Sequence, residues 1–237
     1  LDLRRGKKYK EKIDSLDKTR LLSPKEAIEW ITANHYVKFK EAVDISINLG
    51  VDPRKADQIV RGALVLPHGT GKTPKILVFA QGEKVKEAQE AGADYVGGED
   101  LVEKISGGWL DFEVCIATPD MMKNVGKVAK ILGPRKLMPN PKSGTVTFEI
   151  KKTIDEAKAG RLEYRTDKNG VIHATIGRVT FDVKQLVENY ASFLNAINKA
   201  RPSSAKGRYI NSIYLSSTMG PGIKIDPLVE ASMEEVA

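Results

Sequence analysis

The chain of 237 residues has a single cysteine, three histidines and only 6% aromatic residues. One cysteine cannot close an internal disulfide, so the fold must rest on its core, and a reducing compartment is expected. Cys115 lies in FEVCIATP with no histidine beside it and reads as a buried strand residue, not a reactive thiol. His35, His68 and His173 are widely spaced and have no carboxylate or cysteine at a metal-ligand or triad spacing, so nothing nominates a metal site or a nucleophile. Apolar runs of membrane-spanning length are also missing, because charge or glycine interrupts each greasy stretch early. A membrane partner is therefore not expected, and no secretory pattern opens the sequence.

Two apparent cofactor motifs fail on inspection. HGTGKT at 68–73 suggests a phosphate loop, but the position five residues before Gly71, where that loop needs glycine, is Leu66. Pro74 and the strand-like KILVFA then follow, where a helix should open. Gly69 and Gly71 read instead as flexible boundary residues. The glycines at 82, 92, 97, 98, 107 and 108 do not form a GxGxxG fingerprint after a strand. No cofactor is expected, and a nucleotide-dependent enzyme using the central α/β segment stands only as the alternative reading.

The residues that are present support a folded, basic protein. With 41% hydrophobic and 29% charged residues there is material for a substantial core, and the length suits two domains or one large one. Lys and Arg number 38 against 31 Asp and Glu, a net charge of +7 that favours polyanionic partners.

From Lys75 onward, short apolar strands (KILVFA, ADYVGG, FEVCIA) alternate with helical stretches (EKVKEAQEAG, EDLVEKISGG, PDMMKNVGKVAKILG, IKKTIDEAKAG), the pattern of a small parallel sheet covered on both faces. The flanks differ. AVDISINLG alternates apolar and polar residues as a half-buried strand does, with RGALVLP as its expected antiparallel partner. RLEYRTDKNGVIHATIG reads as a hairpin turning at Asn169-Gly170. DVKQLVENYASFLNAINKA carries a helical stripe of Leu186, Tyr190, Phe193, Leu194 and Ile197. RYINSIYLSST is a further strand, and Ser23, Pro24 and Glu26 spell a capping box that opens a helix reaching about Asn34. The fold class expected is an α+β split domain, an antiparallel sheet with helices, interrupted by an inserted α/β Rossmann-like domain with a small parallel sheet. The boundaries expected are 1–67 and 160–237 for a discontinuous domain and 68–159 for the insert, with a hinge where the chain crosses twice.

The charge is uneven. Residues 68–159 hold 14 Lys and Arg against 13 Asp and Glu, leaving 24 against 18 on the flanks. Arg4, Arg5, Lys7, Lys8, Lys10 and Lys12 crowd the beginning, and Lys199, Arg201, Lys206 and Arg208 precede the last strand. Such residues grip phosphates without reading sequence. RNA suits them better than duplex DNA, since no helix-turn-helix, zinc finger or basic zipper is visible. Two loops stand out beside them. GPRKLMPNPKSG at 133–144 is stiffened by three prolines and projects Arg135, Lys136 and Lys142, candidates for a secondary RNA contact. SSTMGPG at 216–222 carries no charge; its glycines permit close approach, Thr218 can hydrogen-bond a ribose hydroxyl, and Met219 can lie against a sugar or base. Its exposed amides and carbonyls are expected to follow an RNA contour.

The stretches KFKEAVDISINLGVDPRKADQIVRGALVLPHGTGK, GADYVGGEDLVEKI, ATPDMM, ILGPRKLMPNPKSGTV, IHATIG and STMGP occur in this order between about residues 30 and 225. In them the chain resembles bacterial members of the universal ribosomal protein family numbered one in the large subunit, which form the mobile stalk beside the transfer RNA exit site. The resemblance implies a non-enzymatic protein of the cytoplasm, carried in the large ribosomal subunit and monomeric off the ribosome. It implies binding to large-subunit ribosomal RNA, assistance in releasing deacylated transfer RNA at the exit site, and repression through messenger RNA of its own operon. By motif it places Lys38, Phe39, Glu41, Thr218, Met219 and Gly220 at the RNA interface, with His173 of IHATIG beside them. Arg4, Arg5 and Lys7 supply attraction. Lys40 stands where members often carry an acidic or polar residue.

Overall fold

A computed structural model describes residues 6–17, 20–55 and 57–227. By internal contacts these fall into two compact units, one within 1–71 and 162–237, the other within 72–161.

The first unit is built on a four-stranded antiparallel sheet. Its members are β1 (Ala42–Leu49), β7 (Val171–Arg178), β8 (Ile210–Ser217) and β9 (Ile223–Ile225), ordered β7-β1-β8-β9. Along β1, Val43, Ile45, Ile47 and Leu49 are buried while the residues between them are half-exposed, so one face of the sheet feeds the core. Two helices cover that face. Helix α2 (Pro24–Asn34) is started by the Ser23–Glu26 capping box and buries Ala27, Ile28 and Ile31. Helix α8 (Val183–Lys199), opened by a second box at Asp182 and Gln185, buries Leu186, Tyr190, Phe193, Leu194 and Ile197. Each buried leucine, isoleucine or phenylalanine among them contributes about 1.5–3 kcal/mol through removal from water. Helix α1 (Lys7–Asp14) buries none of its residues, although Lys12 donates to Asn34 Oδ1 at 3.1 Å.

The pairing of β2 (Arg61–Val65) and β6 (Arg161–Arg165) corrects two expectations. RGALV does not partner β1; it forms a separate two-stranded sheet with β6. The stretch 161–178 is accordingly no hairpin, since β6 pairs with β2 and β7 with β1. The DKNG turn itself is present. Asp167 accepts the amides of Asn169 and Val171 on Oδ1, at 2.8 and 2.9 Å, and Gly170 adopts φ 77°. A turn closed by its own side chain does not require its flanking strands to pair.

The second unit is a three-stranded parallel sheet, order β4-β3-β5, of β3 (Ile76–Phe79), β4 (Tyr95–Gly97) and β5 (Val114–Ala117). Alternate residues enter two different cores. Ile76, Val78 and Ile116 pack with Ile150, Ile154 and Ala157 of α7 (Ile150–Lys158) and Ala88 of α3 (Glu83–Glu90). Leu77, Phe79 and Cys115 pack with Leu101, Val102 and Ile105 of α4 (Glu99–Ser106). Cys115 is buried, and burial pushes its thiol pKa up. The stretch PDMMKNVGKVAKILG, expected as one helix, is broken. The 3-10 turns Pro119–Met121 and Gly126–Val128 alternate with the short helices α5 (Met122–Val125) and α6 (Ala129–Leu132). Glycine in mid-helix is disfavoured, and the chain tightens at Gly126 while still burying Met121, Val125, Val128 and Leu132. The α+β split unit interrupted by a small parallel α/β unit is the fold class that the sequence implies.

Candidate nucleic-acid interface

The segment between α2 and β1 and the turn after β8 are fastened together. Helix α2 stops at Asn34, and His35 at its end is already extended. Tyr36 then donates its hydroxyl to the carbonyl of Met219 at 2.7 Å. Five residues on, Glu41 is 1% exposed, and its Oε1 accepts the amide of Met219 at 2.9 Å and the hydroxyl of Ser217 at 3.3 Å. Thr218 continues the ladder: its amide donates to Ala42 O at 3.1 Å and its Oγ1 accepts the Ala42 amide at 3.0 Å. The turn closes with the Gly220 amide on Ser217 O at 3.1 Å, and a Cβ on Gly220 would lie 2.4 Å from Ser217 Oγ.

These bonds decide what the SSTMGPG turn presents. The amide and carbonyl of Met219 are engaged within the protein, so at this residue the turn presents a side chain and not the exposed main-chain groups expected of the loop. Met219 is 48% exposed, and Phe39, in the segment between Tyr36 and Glu41, is 54% exposed. Single exposed apolar side chains are ordinary, and Phe148 is as exposed as Phe39; what sets Phe39 and Met219 apart is that they stand on two segments tied to each other by the Tyr36 and Glu41 bonds. Lys38 and Lys40 are exposed on either side of Phe39, and Arg178 fixes the segment by donating to Lys40 O at 2.8 Å.

His173 sits on the open face of the four-stranded sheet. It stands opposite Ser46, which stands opposite Tyr214, which stands opposite Lys224, forming one row across all four strands. His173 Nδ1 lies 3.0 Å from Ser46 Oγ and its Nε2 3.7 Å from Asp167 Oδ2. The backbone amides of Val171 and Asn169 hold the Asp167 carboxyl below its ordinary pKa, with a smaller push from His173. The neighbouring row is Thr175, Asp44 and Ser216, with Thr175 donating to Asp44 Oδ1 at 2.6 Å. Ser46, Tyr214 and Lys224 escaped the sequence reading. The alternation in SINL and SIYLS marks their outward face, but only the strand register aligns them. Tyr36 carried no signal, since its partner lies 183 residues away.

The other predicted residues are dispersed. Arg4 and Arg5 lie outside the described residues, and Lys7 begins the exposed helix α1. Arg135 and Lys136 are exposed in the second unit, while the side chain of Lys142 is outside the described set. Their loop is anchored by Leu137 and Met138 against the α4 side of the sheet and by Arg161 donating to Ser143 O. Lys136 holds φ 61°, the left-handed region that a non-glycine residue seldom adopts.

HGTGKT opens no helix: the chain runs from Gly71 to β3 without one. Gly69 and Gly71 are tied, not loose. Both have positive φ, and a Cβ on Gly71 would meet Arg178 Cγ at 2.8 Å and Phe181 at 2.9 Å. Among the described residues no group of three or more His, Cys, Asp and Glu could hold a metal ion, and no helix is long and apolar enough to cross a membrane. Compared with known families, residues 31–221 match the ribosomal protein L1p/L10e family.

Proposed function

The chain belongs to the ribosomal protein L1p/L10e family, and on that premise we propose that it binds a folded element of large-subunit ribosomal RNA with the braced loops at Lys38–Lys40 and Thr218–Gly220. The observation that carries this reading is the pair of exposed apolar side chains, Phe39 and Met219, on loops whose main chains are already hydrogen-bonded within the protein. Side chains of this kind stack on unpaired bases and riboses, which is how folded RNA is told from a uniform duplex. Lys38, Lys40 and the basic helix α1, with Arg4, Arg5 and Lys7, supply phosphate attraction that falls with salt. His173 and its row across the open sheet extend the polar contact surface. Arg135, Lys136 and Lys142 offer a secondary RNA contact in the other unit.

The same reading assigns the protein to the stalk beside the exit site of the large ribosomal subunit in the cytoplasm, aiding release of deacylated transfer RNA. Repression follows from the same surface, if messenger RNA of its own operon presents the same shape. The mechanism is shape recognition with no bond made or broken. Protection mapping on total ribosomal RNA tests it: one footprint confined to large-subunit RNA is expected, and either no footprint or one in small-subunit RNA would refute it.

A further inference from the structure

The main chain of Met219 is gripped at both ends of one residue. Its amide donates to Glu41 Oε1 at 2.9 Å and its carbonyl accepts from Tyr36 at 2.7 Å. The two gripping residues also delimit the segment that carries Lys38, Phe39 and Lys40, so one arrangement fixes both exposed apolar side chains. We propose that Tyr36 and Glu41 are positioning residues of this interface: they touch no RNA and act by holding Met219 and Phe39 in the geometry that the folded RNA meets. This inference rests on the RNA-binding reading above.

Two features favour positioning over plain stability. Glu41 is 1% exposed and its second oxygen, Oε2, is buried without a hydrogen-bond partner. A buried acceptor left unpaired costs free energy that an apolar residue at the same place would not, so the carboxylate is better explained by the loop it aims. The Tyr36 ring could be replaced by phenylalanine with little change in packing, which leaves the hydroxyl contact as the part specific to the loop. Binding orders side chains and loops at a cost, and a loop fixed beforehand avoids part of it. In this arrangement Glu41 is shut away from the ligand, and its acceptor oxygen serves the protein's own amide.

The test uses the full chain, large-subunit ribosomal RNA and a shuffled RNA of equal length at one salt concentration. Wild type, Tyr36→Phe, Met219→Ala and the double variant are compared, with thermal unfolding as a check on folding. Tyr36→Phe should weaken binding to the ribosomal RNA about two- to tenfold, the equivalent of one hydrogen bond, and leave binding to the shuffled strand unchanged. In the Met219→Ala background the same change should cost less, only the part that acts through Phe39, because one of the two side chains being aimed is gone. An undiminished cost in that background, or no cost in the wild-type background, overturns the role of Tyr36. Glu41→Gln keeps an acceptor for the Met219 amide and should retain the preference for ribosomal RNA; loss of preference in a folded Glu41→Gln protein would place the carboxylate charge against the ligand and overturn its role. If wild type itself fails to distinguish the two RNAs, the RNA-binding reading falls and this inference with it, an outcome separate from the others.

Discussion

Asn189, fully buried in the middle of α8, accepts the amide of His68 on Oδ1 at 3.1 Å while its Nδ2 donates to Ile176 O at 2.8 Å. The same nitrogen donates to Gly69 O at 3.0 Å. One amide side chain thus satisfies three main-chain groups on two other segments of the first unit. Asn189→Leu would keep the branched shape, with somewhat bulkier methyls, and leave those groups unpaired, so a loss on the order of 3 kcal/mol is expected from the penalty for buried unsatisfied groups. Urea unfolding checks it; a midpoint equal to wild type would refute the assignment.

Phe39→Ala and Met219→Ala should each weaken binding to folded ribosomal RNA by about tenfold or more while changing affinity for random RNA little, since stacking contributes roughly 1–3 kcal/mol per base. Filter binding or fluorescence anisotropy on both RNAs reads the outcome. Equal losses on the two would deny these side chains a part in selectivity.

Neutralising Arg4, Arg5 and Lys7 together should lower affinity for both RNAs and flatten the dependence of log K on log salt, by about 0.7 for each single-strand phosphate that is no longer neutralised. Titration across a range of salt measures this directly. A slope that stays unchanged removes these residues from the interface.

Tyr209 is buried, donates to Ile197 O at 3.1 Å, and burial pushes its pKa up to about 12. A tyrosine that ionises later in the folded chain than in the unfolded one stabilises fully below its unfolded pKa of about 10 and loses that contribution as pH rises towards the folded value. Unfolding free energy should therefore fall between about pH 10 and 12. Phenolate absorbance should show a late-titrating tyrosine that is lost in Tyr209→Phe, whose stability should depend less on pH in that window.

Gly220→Ala would bring a Cβ within 2.4 Å of Ser217 Oγ. The hydroxyl that donates to Glu41 must then move, so the braced turn should shift and the preference for folded RNA decline, and the unfolding midpoint should fall as well, because Ser217 and Glu41 are buried and the bond between them is lost. The amide resonances of residues 217–220 report the shift; an unperturbed turn would contradict it.

What could be read from the sequence was what neighbours along the chain decide. The Ser23–Glu26 capping box needs three residues' separation, and the odd positions of β1 alternate inward because the strand period is two. The parallel strands of the second unit were legible as apolar runs because both their faces are buried. Long-range pairing was not legible. The Asn169-Gly170 turn suggests a hairpin, yet Asp167 closes the turn alone and frees β6 to join β2. At the candidate interface, Phe39 and Met219 were visible as motif residues. The bonds that set their backbone, from Tyr36 and Glu41, connect segments almost two hundred residues apart and leave no local pattern.

The two sheets differ in how forgiving they are. In β1 every second residue faces the open side, so half its positions can change chemistry while the core is undisturbed. In β3 all four residues are sealed, Ile76 and Val78 beneath α3 and α7, Leu77 and Phe79 on the α4 side. A deep mutational scan should consequently find a strand of alternating tolerance in one unit and a strand with no permissive position in the other.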